Sequence, residues 1–133
     1  MSRANVDLVR RSVEAFNDRD IPALESICSE DLVYRLIGGF ADMMGTEFRG
    51  QEAALGWVRE WMDAFESRTE IEAIREVNDQ VLAILNIEAT GSASGAGTNL
   101  RIGQVYSFRD GRISEQDSYY TPGDALKAVG VAG

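Results

Sequence analysis

The chain opens on a helical rhythm. Val6, Val9, Val13 and Phe16 recur at three- and four-residue steps, with Arg10, Arg11, Glu14 and Asp18 on the other side, which predicts an amphipathic helix over about 5–18. Asp20 is placed to cap a second, short helix, with Pro22 in the first turn, where no intrahelical N–H is needed. Leu24, Ile27 and Cys28 are its buried stripe; a nucleophilic Cys28 is set against a core Cys28, and the core reading is preferred. The clearest helix covers 52–66, where Ala54, Leu55, Val58, Trp61, Met62 and Phe65 share one stripe and Trp57 borders it.

Leu32 to Ile37 is a short β run stopped by Gly38-Gly39, and 40–48 reads as a loop carrying Phe40, Met43, Met44 and Phe48. Apolar side chains in such a loop need cover, so it either folds over a pocket mouth or packs on the core edge. From Thr69 the period changes. Ile71 and Ala73 alternate with acidic residues, and Asn78-Asp79 turns the chain. The run 81–90 is apolar on both faces at its start, as a covered central strand should be. Segment 91–98 is a hairpin connection rather than a phosphate cradle, because no Gly-Lys-Ser/Thr follows and a strand comes next. Strands over 100–108 and 112–120 flank an Asp110-Gly111 turn, and 125–129 is a tail or short helical turn. Helices followed by a run of antiparallel strands predict an α+β class, with one domain over 1–133.

Composition narrows the partners. Acidic residues outnumber basic ones by 22 to 13, a net charge of -9 that repels phosphate backbones and anionic lipid, so neither nucleic acid nor membrane is an expected partner. The longest apolar run, Val81 to Leu85, is too short to span a bilayer, and no apolar signal segment follows Met1, which points to the cytoplasm. One cysteine excludes an internal disulfide, and the absence of histidine removes the commonest transition-metal ligand, so no metal site is expected. Histidine-dependent nucleophile pairs are excluded as well. Acid–base work would fall to carboxylates, tyrosines, lysine or water.

Several segments carry a family likeness. They are Val9 to Leu24 (VRRSVEAFNDRDIPAL), Ser29-Glu30-Asp31, Phe48-Arg49-Gly50-Gln51-Glu52, Val105 to Ile113 (VYSFRDGRI) and Tyr120 to Gly130 (YTPGDALKAVG). With the element order, they resemble the superfamily of nuclear transport factor 2, ketosteroid isomerase and limonene epoxide hydrolase, and most nearly its SnoaL-like bacterial members. The resemblance implies a cystatin-like, cone-shaped barrel: N-terminal helices on a strongly curved antiparallel sheet that encloses a pocket. It also implies a homodimer through the outer sheet face. The superfamily mixes isomerases, cyclases, hydrolases and non-catalytic binders, so it specifies fold better than reaction.

Alternation along the strands restricts which polar groups can meet in the pocket. Leu82, Ile84, Asn86 and Glu88 share one row; Leu100, Ile102, Gln104, Tyr106 and Phe108 share another; Ser114, Gln116, Ser118 and Tyr120 alternate with Glu115, Asp117 and Tyr119. Which row faces inward is left open by the sequence. The positions resembling the ketosteroid isomerase tyrosine and two aspartates are Ser12, Leu36 and Gln104, so that chemistry is not expected. Those resembling the limonene epoxide hydrolase machinery are Glu88 and Ser118 for its aspartates, Asn86 for its arginine, and Tyr34 and Leu36; the set is incomplete.

What remains as candidate catalytic chemistry is Glu88 with Asn86, Gln104 and Tyr34, and Asp117 as rival carboxylate. A carboxylate among apolar neighbours gains basicity, and an amide can donate to a developing oxyanion. Against this, Glu88 near a strand end is read as solvated, and Asp117, opposite Ser118 in parity, as outward. The candidate substrate-binding walls are Phe16, Leu36, Phe40, Met44, Trp57, Trp61, Tyr106, Ser118 and Tyr120, although such residues also serve as plain core. Arg35 and Arg101 are read as surface ion-pair members rather than clamps. Two functions follow: a cofactor-independent enzyme acting by proton transfer on a small apolar, oxygen-bearing molecule (a cyclase, isomerase or epoxide hydrolase), or a non-catalytic module binding an apolar ligand or protein partner.

Overall fold

The computed structural model describes residues 2–38 and 47–130. Four helices are seen in them: α1 (Ser2–Asn17), α2 (Ile21–Ile27), α3 (Gln51–Ala64) and α4 (Pro122–Ala128). Six strands form one sheet: β1 (Cys28–Ile37), β2 (Glu47–Arg49), β3 (Phe65–Val77), β4 (Gln80–Gly91), β5 (Gly97–Arg109) and β6 (Arg112–Tyr119), in the order β2-β1-β6-β5-β4-β3. The fold is α+β, as the pattern predicts. Phe40 and Met44 lie outside the described residues.

Three expectations are corrected. Phe48 is not in a loop: 47–49 is a short strand, with Tyr34 paired to Phe48 and Arg35 to Glu47. The sheet is mixed, because β6 returns beside β1 in the parallel sense, Tyr34 opposite Gln116 and Leu36 opposite Ser118. It is also open, strongly curved rather than closed, with β2 and β3 as its edges.

Local chemistry fixes the joints. Asp20 caps α2 by accepting from the Ala23 N–H at 3.1 Å. Asn17, the last residue of α1, accepts from the Thr69 N–H at 2.8 Å and donates to the Thr69 carbonyl at 2.9 Å. Its amide thereby acts as a strand partner for β3 and ties the helix end to the sheet edge. Arg19 donates to the carbonyls of Met62 and Phe65, satisfying the C-terminal end of α3. Asp110 and Gly111, with φ of 54° and 75°, make the two-residue turn that the β5–β6 hairpin requires.

The sheet separates two apolar layers. Val81, Ala83 and Leu85 of β4, Ile102 and Tyr106 of β5, and Leu32 and Leu36 of β1 pack inward, toward Val9 and Val13 of α1 and Ala54 of α3. Leu82, Ile84 and Val105 face out and pack against Ala125 and Val129, in and just after α4. Gly103 makes that close approach possible, since a Cβ there would overlap the Ala125 methyl and lie 3.3 Å from Pro122 Cα. Part of the outer sheet face is therefore already covered by this chain.

Candidate active site

Curvature leaves a hollow between the inner sheet face and the helices, with about 100 Å³ open to the centre of a water-sized sphere. That is room for several waters or part of a small organic molecule. Its walls are mainly apolar: Leu85 and Ile87 from β4, Leu100 and Ile102 from β5, Leu32 and Leu36 from β1, and Phe16, Leu55, Trp57 and Trp61 from the helices. The ring of Tyr34 stands 5.2 Å from that of Trp57, and Trp57 stacks on Trp61 at 6.1 Å. Trp57 and Trp61 also line a shallow outer cleft with Glu60, Ala64 and Phe65, so the two tryptophans join the hollow to the surface.

One polar seam crosses this apolar chamber. Tyr34 Oη and Ser118 Oγ are 3.0 Å apart. Gln104 Nε2 donates to Ser118 Oγ at 2.8 Å, Tyr106 Oη donates to Gln104 Oε1, and Gln116 Nε2 reaches the same oxygen at 3.3 Å. Tyr34, Gln104, Tyr106 and Ser118 are all buried, with Ser118 only 1 % exposed. Parity produces the cluster: alternate residues of β5 and β6 place Gln104 and Tyr106 beside Gln116 and Ser118, and the parallel β1–β6 register sets Tyr34 next to them.

The protons of this chamber are held tightly. Burial pushes the Tyr34 phenol up to about 12, against a smaller opposing effect of its bond to Ser118. Tyr106 is driven further in the same direction, chiefly by burial. Cys28 lines the hollow, and burial raises its thiol to about 11, which makes it inert core rather than a nucleophile. Among the described residues no Asp, Glu, Lys or Arg lines the hollow, and no group of three metal-ligating side chains comes together.

The proposed carboxylate base is not there. Glu88 and Asn86 stand on the outer row of β4, both exposed, and Asn86 donates to Glu72 at 3.1 Å. Arg101 grips the same carboxylate, and it, ahead of Asn86, holds Glu72 down at about 2. Tyr120 is 46 % exposed and lines no part of the hollow, because it stands beyond the end of β6. Asp117 faces outward, bonded to Arg35, which also meets Glu115 and Glu47. Tyr34, Gln104, Phe16, Leu36, Trp57, Trp61, Tyr106 and Ser118 do reach the hollow. Sequence reasoning missed Ser12, Thr69 and Gln116 as lining groups. Gln116 shares the parity of Ser118, and Ser12 lies on the Val9–Phe16 stripe, so both were findable; Thr69 carried no such mark.

The chain's relatives agree with this architecture. A candidate polyketide cyclase of Xanthomonas campestris pv. campestris superposes with a TM-score of 0.79 at 20 % identity, covering 96 % of this chain and 97 % of that one. An LEH-like epoxide hydrolase of M. tuberculosis gives 0.76 at 18 % identity, covering 96 % and 90 %. An NTF2-like protein of unknown function from Burkholderia pseudomallei K96243 gives 0.78 at 19 % identity, covering 96 % and 98 %. These likenesses are to the fold. No protein of curated function matches the chain. Residues 9–116, from the middle of α1 to the seam residue Gln116, match one sequence family, and the chain belongs to the SnoaL-like domain family.

Proposed function

We propose that this protein binds a small, neutral, mainly apolar molecule in the hollow, with a polar oxygen of the ligand held at the Tyr34–Ser118–Gln104 seam. The observation that carries this is the composition of the chamber: aromatic and aliphatic walls around a hydrogen-bonded seam, with Ser12 and Thr69 as further neutral polar groups and no charged side chain among its described lining residues. Burying an ion there would cost several kcal/mol on the order usual for uncompensated charges. Burying an apolar body gives back roughly 25 cal/mol per Å². The mouth at Trp57 and Trp61 carries Glu60, which adds a further bias against anions. A crystal structure of the protein with the molecule it retains on purification, or with a neutral apolar ligand supplied in excess, tests this. Ligand density touching Tyr34 or Ser118 is expected; a ligand seated elsewhere with the hollow empty contradicts it.

The second reading is catalysis, supported by the SnoaL-like membership and by fold neighbours described as an epoxide hydrolase and a candidate cyclase. In this reading Tyr34, kept protonated by burial, donates to an oxygen that gains negative charge during a cofactor-independent ring closure, isomerisation or epoxide opening. Turnover that survives Tyr34→Phe at the wild-type rate sinks this version.

A further inference from the structure

Trp57, Trp61 and Phe65 follow one another at four-residue steps, so they stand in file along the last turns of α3 and its exit into β3. The ring centroids of Trp57 and Trp61 are 6.1 Å apart and those of Trp61 and Phe65 4.4 Å, with planes 28° and 34° from parallel. All three residues are half-buried. Trp57 and Trp61 wall the hollow on one side, and with Phe65, Glu60 and Ala64 they border the outer cleft on the other. The cleft offers about 270 Å³ to the centre of a water-sized sphere, far more than the roughly 10–15 Å³ that holds one water. Trp61 Nε1 donates to Ser67 Oγ at 3.0 Å. The electropositive N–H of that indole is thus engaged within the protein, which leaves its electron-rich ring system to the cleft.

Charge selects the occupant. Aromatic faces attract cations, and Glu60, exposed on the rim beside Trp61, adds a full negative charge. Among the described residues no Lys or Arg forms an ion pair with Glu60, and segment 39–46 contains neither residue. Arg19, the cation that reaches this end of α3, is taken up by the carbonyls of Met62 and Phe65. The net charge of -9 enriches cations around the whole chain. We propose that the cleft is a second binding site, apart from the hollow, for a small organic cation of the quaternary or tertiary ammonium class. Its alkyl groups lie against Trp57, Trp61 and Phe65, and Glu60 balances its charge. A compact primary ammonium holds its water strongly. Alkyl groups in place of its N–H bonds remove much of that cost and add apolar contact with the rings. A neutral molecule of the same shape gains only the apolar contact, and an anion meets Glu60.

The test is a matched pair titrated against the whole protein: choline, and 3,3-dimethylbutan-1-ol, in which a tert-butyl group replaces the trimethylammonium. Binding is followed by the indole N–H signals of Trp57 and Trp61 in NMR spectra, with sodium chloride matched to the choline chloride added. Choline is expected to bind about threefold or more tighter than the alcohol, the size of a cation–π contact at an exposed site, and to shift the Trp61 signal. Glu60→Gln should weaken choline by a similar factor and leave the alcohol unchanged. Glu60 is exposed, so this variant is expected to fold as the wild type does. Trp61→Leu should abolish the preference for choline. Equal binding of the two molecules, tighter binding of the alcohol, or no saturable binding of choline overturns the proposal. So does a choline preference that survives both Glu60→Gln and Trp61→Leu, since the cation would then sit elsewhere. Neither titration needs the hollow to be filled, so this proposal and the neutral-ligand reading of the hollow fail separately.

Discussion

Tyr34 and Ser118, far apart in sequence, meet with their hydroxyl oxygens 3.0 Å apart on neighbouring parallel strands, and that contact joins the first strand's only phenol to the seam of the last two. Removing the Ser118 hydroxyl leaves a buried Gln104 amide hydrogen without an acceptor. Ser118→Ala is therefore expected to lower unfolding free energy by about 1–3 kcal/mol, read from urea melts. An unchanged midpoint would mean that the seam is not a buried, mutually satisfied network.

Glu88 stands on the solvent side of β4, exposed. Glu88→Gln should leave both ligand affinity and the thermal midpoint at wild-type values, checked by titration and melting. A loss of binding greater than about tenfold would place Glu88 in the site after all.

Gly103 is the spot where α4 lies closest to β5, with Ala125 directly over it. Gly103→Ala forces α4 outward, and overpacking of this kind costs about 1–3 kcal/mol. Because α4 covers the outer face, the hollow should keep its ligand affinity in this variant. A coupled loss of stability and binding would show that α4 shapes the chamber.

Asp117 and Arg35 give a pH signature. Burial raises the Asp117 carboxyl above its ordinary value, more than its bonds to Arg35 lower it. A carboxyl raised in the folded state favours folding while protonated, and that contribution fades as pH rises through its folded pKa. Asp117→Asn should thus match the wild type in acid and equal or exceed it at neutral pH. Arg35→Met does the reverse: it leaves Asp117, Glu115 and Glu47 facing one another, at a cost of about 1–2 kcal/mol at neutral pH that shrinks on acidification. Urea melts between pH 3 and pH 7 separate the two; an Asp117→Asn protein that loses ground as pH rises contradicts the assignment.

Much of the fold was readable because local periodicity and turn chemistry coincide. The Val6–Phe16 stripe became α1, the Asp20 cap and Pro22 became the start of α2, and Asp110-Gly111 became the β5–β6 turn. The parallel β1–β6 pairing was not readable, since nothing near Tyr34 announces a partner at Gln116. The misplacement of Glu88 has a specific cause. Leu82 and Ile84 look like inward residues, but they are apolar because α4 packs on the outer face, so the row that continues to Asn86 and Glu88 runs out into solvent. A short C-terminal helix covering part of a sheet thus reverses the parity argument on β4, while β5, where Arg101 and Gly103 mark the outer row, kept Gln104 and Tyr106 inside.

Trp57 and Trp61 are the only tryptophans of the chain, and both line the hollow, so intrinsic emission reports directly on its occupancy. The most direct measurement is a fluorescence titration with cyclohexyl methyl ketone against cyclohexanecarboxylate, two molecules of one shape that differ in charge. A saturable one-to-one change with the ketone and none with the carboxylate at the same concentrations is expected of a chamber whose described lining residues carry no charge. Equal or tighter binding of the carboxylate, or no saturable response to either, contradicts it.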